Sequence, residues 1–397
     1  MPAPLAVHGG TPVRPTLLPY GRQCVDGDDV AAVDAILRSD WLTTGPKVEE
    51  FEKAFAAFTG TQHAVAVSNG TAALHTAVQA LGIGEGDEVI VPTMTFAATV
   101  NAVLFQGGTP VFVDSSPDTL CIDPKQVERA LTPRTKAVIA MDYGGQPCDY
   151  AALRAIADKR KLPILADACH ALGGMLDGRP VGSLADLSTF SFHPVKPMTT
   201  GEGGMVTTDD AALAQRMRRF RNHCLTTDHR ERHEKGSYAY EVQELGYNYR
   251  LTDFQCALGL SQLKKVPAWT ERRQRIASLY SESFAGMDTL HPLAVRKGLI
   301  HAYHLYVILL NPETLTASRD EIFKALRAEN IGVNVHYIPV HLHPYYRKRF
   351  GTKEGMYPVA EEAFEKMITL PLFAGMNDVD AQDVITAVNK TTAFYAR

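Results

Sequence analysis

Three short runs of this sequence carry side chains with chemistry in them. The first spans 188–204 and reads Ser-Thr-Phe-Ser-Phe-His-Pro-Val-Lys-Pro-Met-Thr-Thr-Gly-Glu-Gly-Gly. It places Lys196 in an irregular stretch with a proline on either side. A lysine in a loop is ordinarily solvated. This one falls between two strand-like runs, and the glycines after it let backbone approach a bound group. Desolvation would lower its pKa and make the amine a Schiff-base nucleophile or a general base. The second run, 164–170, reads Ile-Leu-Ala-Asp-Ala-Cys-His. Asp167 emerges at the carboxyl end of an apolar strand, where open α/β sheets place ligands. It could cap the next turn, or it could face a cationic ring nitrogen. His170 could approach the same ligand or serve as a structural histidine. The third run, 68–74, reads Ser-Asn-Gly-Thr-Ala-Ala-Leu. Thr71 and Ala72 open a helix there with their amides free, which suits a phosphate; an ordinary turn with a threonine cap is the plainer reading.

Elements must hold these runs together. Strand-like stretches at 63–68, 88–91, 110–114, 137–143, 162–167 and 187–192 alternate with helix-period stretches such as 71–81 and 150–160, the latter with Asp149 as its cap. That alternation predicts an α/β sheet covered by helices on both faces. After residue 253 the character changes. Helices are expected at 253–265 and 271–284, with Pro267 as the break between them. A strand at 304–310, a helix at 318–329 with the capping box Ser318-x-x-Glu321, a strand at 332–336 and two final helices follow. The segment 216–233, rich in Arg and His, reads as an exposed loop or helix face. Two units follow from the 397 residues at roughly 100–200 per domain: 1–265, with an amino-terminal arm, and a smaller α+β unit, 266–397.

Composition narrows the function classes. With 45% hydrophobic and 21% charged residues the chain is an ordinary globular one. Forty basic against 44 acidic residues leave no surplus for a nucleic-acid backbone, and no apolar stretch is long enough to cross a membrane. Six cysteines without a CxxC read as thiols in a reducing, cytoplasmic setting. The histidines at 336, 341 and 343 match no standard zinc spacing, so no metal is expected. A phosphate cradle, a carboxylate for a pyridinium nitrogen and a lysine for an aldehyde together describe a site for pyridoxal 5'-phosphate.

The run 191–204 closely resembles the signature of the DegT/DnrJ/EryC1/StrS aminotransferases, which act on nucleotide-linked keto sugars. Further matching blocks are Leu42-Thr43-Thr44-Gly45-Pro46, 68–74, Pro92-Thr93-Met94-Thr95-Phe96, 167–170 and Gly246-Tyr247-Asn248-Tyr249-Arg250-Leu251-Thr252. The resemblance covers nearly the whole chain. It implies the fold type I of pyridoxal-phosphate-dependent transferases, with a large mixed-sheet α/β domain and a small α+β C-terminal domain. It further implies that Lys196 forms the Schiff base with the cofactor, that Asp167 partners the ring nitrogen, and that His170 lies near the ring oxygen. Thr71, Ala72 and Ser191 would contact the phosphate, Phe96 would stack on the ring, and Asn248 would reach the phosphate from a neighbouring subunit of a homodimer. Relatives that dehydrate carry His in place of the lysine, so Lys196 disfavours that branch. The stretches 18–23, 39–46 and 335–347 resemble the pseudaminic-acid branch, which aminates C4 of a UDP-linked 4-keto-6-deoxy-N-acetylhexosamine with L-glutamate as donor. Substrate contacts are expected from Arg22, His193, Arg250, His336 and Tyr337. Other readings remain at this point: an aminotransferase for a different nucleotide 3- or 4-keto sugar, a non-catalytic binder of cofactor or nucleotide sugar, and a cysteine desulfurase, for which Cys169 and Cys224 are the nearest thiols. The aromatics Tyr247 and Tyr249 are expected to pack at an interface.

Overall fold

The computed structural model describes residues 4–227, 232 and 236–397. Apolar pentads between Gly- and Asp-rich turns form most of a buried sheet. Its strands are β1 (His63–Val67), β2 (Glu88–Pro92), β3 (Thr109–Val113), β4 (Thr135–Met141) and β5 (Ile164–Asp167). A small hairpin, β6 (Met175–Leu176) and β7 (Arg179–Pro180), precedes β8 (Leu187–Ser191) and β9 (Gly204–Thr208). The large sheet has the order β1-β9-β8-β5-β4-β2-β3. The β2, β3, β4, β5 and β8 pairings are parallel, and β9 runs antiparallel to both its neighbours. The sheet is therefore mixed, and the carboxyl ends of β1, β2, β4, β5 and β8 share one edge. Four of them, β1, β2, β5 and β8, run into the sequence blocks singled out above.

Strand β1 lies at the border of this sheet, and its outward backbone groups find side-chain partners instead of a strand. Glu52, on helix Pro46–Thr59, accepts from the Ala66 amide at 3.0 Å. Arg218 and Arg221 donate to the Ala64 and Ala66 carbonyls at 3.0 and 2.7 Å, and both pair with Glu52. Orphaned backbone groups in a buried strand are costly, and these three side chains satisfy them.

The second half builds a three-stranded antiparallel sheet from β10 (Leu290–Pro292), β12 (Tyr306–Leu310) and β13 (Met367–Leu370), in the order β10-β12-β13; between the first two, β11 (Leu299–Ile300) pairs with β6. Helices Arg319–Ala328 and Asp378–Tyr395 help build its core, with Ile322, Leu326, Val384 and Val388 buried beside the sheet residues Ile308 and Ile368. The capping box of Ser318 and Glu321 is formed. The amino-terminal arm, counted above with the larger unit, packs here. Glu329 accepts from the Ala6 and Val13 amides and pairs with Lys390, and Arg14 pairs with Asp380 and Asp383.

Three local expectations change. Pro267 does not break a helix. It sits in the first turn of Val266–Phe284, directly after helix Asp253–Leu263, where its missing N–H leaves no bond unmade. The run 332–336 is not a strand. Its neighbours differ on each side, Leu18 of the arm bridging Ile331 and Thr369 of β13 bridging Asn334, so no ladder continues. Residues 216–220 close helix Ala211–Phe220, while 228–231 and 233 of the expected loop lie outside the described residues.

Candidate active site

The turn after β1 leads directly into helix Gly70–Ala80, whose cap is Asn69. The Asn69 side chain accepts from the Ala72 amide at 2.8 Å, so that amide is already occupied, contrary to the expectation of a free donor; an Asx cap competes for the same orphan N–H. Gly70 lies close against the end of β8. A Cβ there would meet the Ser191 Cβ at 2.8 Å and its Oγ at 3.1 Å, so only glycine leaves this approach open.

Asp167 ends β5 and is buried. One of its oxygens accepts from the Thr99 hydroxyl at 2.6 Å, the other from the Cys169 amide at 3.3 Å. These contacts suit an acceptor-only carboxylate. Thr99 itself is held by Thr95 at 2.6 Å. Thr99 was not anticipated, because a threonine inside a helix carries no signal of its own.

His170 accepts the Gly144 amide on Nδ1 at 3.3 Å, and its Nε2 lies 2.9 Å from the Tyr337 hydroxyl. Burial holds the ring neutral by pushing its pKa far down, with the Lys196 charge adding to the effect. With Nδ1 accepting, the ring carries its proton on Nε2 and donates it to Tyr337. The Tyr337 ring lies 5.8 Å from Phe96, which is more than half exposed at the start of helix Ala97–Phe105. Phe96 thus offers an open aromatic face beside buried His170 and half-buried Tyr337.

Lys196 follows β8 in a turn whose amide bonds back to the His193 carbonyl at 2.9 Å. Burial lowers its pKa, opposed by the neighbouring Cys169 and Asp167. Burial depresses His170, His304 and His336, and the Lys196 charge adds to the effect on each. His336 is pushed down to about 3, chiefly by burial. It is bonded to Thr369 at 3.0 Å, while His341 is bonded to Glu361 at 2.9 Å and also to Thr93. No group of three or more His, Cys, Asp or Glu among the described residues could hold a metal ion.

His304 was missed. It lies 4.4 Å from the His170 ring, with Nδ1 buried and unpartnered. It is brought there by the Gly144-Gly145 turn. Gly145 has a φ of +108°, and a Cβ on it would meet the Tyr303 and His304 amides at 2.8 and 3.0 Å.

The remaining expected residues stand apart. Arg22 is exposed on the arm, near the lysine turn, because a Cβ on Gly21 would touch Val195 at 3.4 Å. His193 is exposed. Asn248 is exposed too, its backbone bridging Asn222. Arg250 donates to Asn222 at 2.7 Å in a separate cleft beside Thr43 and Thr44. Tyr249 bonds His75 at 3.1 Å and stacks on Tyr247, so these aromatics pack within the chain around helix Gly70–Ala80. Cys169 is buried and its thiol is pushed well up by burial and Asp167, which opposes a thiolate nucleophile.

A phosphorylated pyridine fits this constellation: a glycine-opened helix start, a buried carboxylate, an exposed aromatic face and a half-buried lysine occupy one edge of the sheet. Comparison with known proteins agrees. Residues 23–389 match the model of the DegT/DnrJ/EryC1/StrS aminotransferase family. The spore coat polysaccharide biosynthesis protein SpsC of Bacillus subtilis is 44% identical, over 94% of this chain and 97% of its own. Helicobacter pylori PseC, an aminotransferase involved in the biosynthesis of pseudoaminic acid, superposes with a TM-score of 0.89 at 33% identity, covering 96% of this chain and 100% of its own. The candidate sugar aminotransferase Spr1654 of Streptococcus pneumoniae, in its PMP form, superposes with a TM-score of 0.90 at 33% identity, covering 95% and 99%; it has also been solved in a PLP form.

Proposed function

Because the chain belongs to the DegT/DnrJ/EryC1/StrS aminotransferase family, and is a pyridoxal-phosphate-dependent sugar aminotransferase, we propose that it moves an amino group from L-glutamate to C4 of a UDP-linked 4-keto-6-deoxy-N-acetylhexosamine. The observation that carries the reading is the shared edge of the sheet, where buried Asp167, the depressed amine of Lys196 and the Gly70 approach converge. The likeness to PseC supports the choice of sugar.

When bound, pyridoxal phosphate supplies an aldehyde that exchanges amines and a protonated ring that accepts electrons. The chain's own residues do the rest. Asp167, fixed by Thr99, would set its carboxylate toward the ring nitrogen and favour a proton there. Lys196 would hold the cofactor through its aldehyde and, when its amine is free, would serve as the base that takes the proton from the donor Cα and later returns it. His170 and Tyr337 would hold one ring edge, Phe96 would cover a face and exclude water, and Thr71, Ser191 and the leading amides of helix Gly70–Ala80 would bind the phosphate. Ala72 contributes backbone packing, since Asn69 holds its amide. His336, His193 and Arg22 border the space for the sugar. The enzyme works in the cytoplasm as a homodimer, with Asn248 of each chain completing the phosphate site of the other.

The test is a panel of nucleotide 4-keto and 3-keto sugars incubated with glutamate and read by mass. The UDP-linked 4-keto N-acetylhexosamine is expected to gain the amine first. Preference for a 3-keto sugar or another nucleotide would overturn the choice of substrate. Lys196→Ala is expected to abolish the absorption band of the bound cofactor and reduce turnover on the order of 10²–10⁴-fold.

A further inference from the structure

Beside His170 lie two basic side chains to which the chain offers no acid. Arg273, on helix Val266–Phe284, is the one arginine or lysine that is buried among the described residues. Its Nη1 donates to the Tyr303 and Leu372 carbonyls at 3.3 and 3.0 Å, and its Nε is buried without a partner. Burial pushes it down to about 10, with no carboxylate opposing the shift. His304 follows the Tyr303 that Arg273 holds. It too is buried, and its Nδ1 has no partner. Burial keeps the ring neutral, and the groups that add to this are all basic: Lys196, His170, Arg273 and His336. One turn fixes both imidazoles. The Leu305 amide donates to the Gly144 carbonyl at 3.0 Å and the Ala302 amide to that of Gly145 at 2.9 Å, while the Gly144 amide donates to His170 Nδ1. The His304 ring is thereby set 4.4 Å from that of His170. Tyr303 holds a φ of +46°, a conformation that residues with a Cβ rarely adopt and that clusters at functional sites.

We propose that His304, backed by the charge of Arg273, binds the α-carboxylate of the amino donor. The inference rests on the aminotransferase reading above and names the residues that recognise the donor. Buried charges and buried polar atoms in folded proteins are paired. Here a guanidinium Nε and an imidazole Nδ1 receive no acid from the chain, and an anionic ligand answers both. A neutral imidazole keeps one N–H to give, and a carboxylate accepts it in a charge-assisted bond. The keto sugar is uncharged around the carbon that is aminated and would leave Arg273 uncompensated. The α-carboxylate shares a carbon with the amine that must meet the cofactor aldehyde, so it has to lie next to that edge; the side-chain carboxylate of glutamate lies farther out. The other arginines expected at the substrate do not meet these conditions. Arg22 is exposed on the arm, and Arg250 is bonded to Asn222 in a separate cleft.

The experiment is a spectral titration of the cofactor-loaded full chain with two ligands. One is α-methyl-L-glutamate, which keeps both carboxylates and has no removable Cα proton. The other is 4-aminobutyrate, which is glutamate without its α-carboxylate. The shift of the cofactor absorption band reports binding of each. Wild type is expected to bind α-methyl-L-glutamate at least about 10-fold more tightly than 4-aminobutyrate. His304→Gln is expected to lose roughly 10-fold on the first ligand and nothing on the second, a non-additivity that a merely structural role does not produce. An unchanged melting temperature and an unchanged band before titration would report an intact fold. Equal affinity of wild type for the two ligands, equal affinity of wild type and His304→Gln for α-methyl-L-glutamate, or an equal loss on both ligands would each overturn the proposal, and the first of these needs no variant. The two readings fail separately. His304-dependent donor binding without amino transfer to any keto sugar sinks the activity and leaves the donor contact. Amino transfer from glutamate with His304-independent donor binding sinks the contact and leaves the activity.

Discussion

Two carboxylates at neighbouring strand ends, one residue type in nearly one place, have been given different surroundings. Asp167 receives a hydroxyl and an amide, whereas Asp142, at the end of β4, keeps one oxygen buried without a partner. Burial raises Asp142 from 3.8 to about 7, and the nearby Asp167 adds to the rise. An acid whose pKa is raised by folding binds its proton more tightly in the folded state. Its support for the fold is greatest below about pH 4, declines as pH climbs toward 7, and is constant above that. Asp142→Asn cannot titrate, so its stability relative to wild type is expected to rise across that window and then level off. Urea melts in steps from about pH 4 to 8 would check it; parallel curves for the two proteins would mean that Asp142 ionises normally.

At the scale of elements, the cradle depends on how closely helix Gly70–Ala80 approaches the end of β8. Gly70→Ala forces a Cβ to 2.8 Å from that of Ser191, and overpacking of this kind costs about 1–3 kcal/mol. Ser191→Gly removes the clashing atom, so the double variant is expected to recover part of the loss in a melting series, and simple additivity would contradict the clash. The helix, the strand ends and the lysine turn were legible from the sequence because period, turn residues and short motifs are local signals. Asn69 as the cap was not, since Thr71 competes for that role on paper and only the backbone geometry decides. His304 was read as the start of a strand. What brings it to His170 is a contact between Gly145 and Tyr303, more than 150 positions apart, which no local pattern encodes. The strand expected at 332–336 failed for the same reason: its pairing partners, Leu18 and Thr369, come from opposite ends of the chain.

At the scale of the whole molecule, Asn248 is exposed on its own chain, and the proposed homodimer would give it a use. Mixing Lys196→Ala chains with Asn248→Ala chains is expected to restore activity, because one site of each mixed dimer then has a sound lysine and a sound asparagine. Roughly a quarter of wild-type activity would follow from random pairing of equal amounts. No gain above the separate variants would place Asn248 in its own chain's site or outside both. A different kind of association concerns the border of the large sheet, where Glu52, Arg218 and Arg221 occupy the outward groups of β1. Those three side chains also stand where the strand of another molecule would have to add. Glu52→Ala would uncover the Ala66 amide and leave both arginines without their acid. The expected result is light-scattering growth on mild heating, before unfolding is complete, as chains join edge to edge. The sheet stays seven strands wide because its last strand is sealed by charge, and removing one carboxylate turns a finished edge into a template.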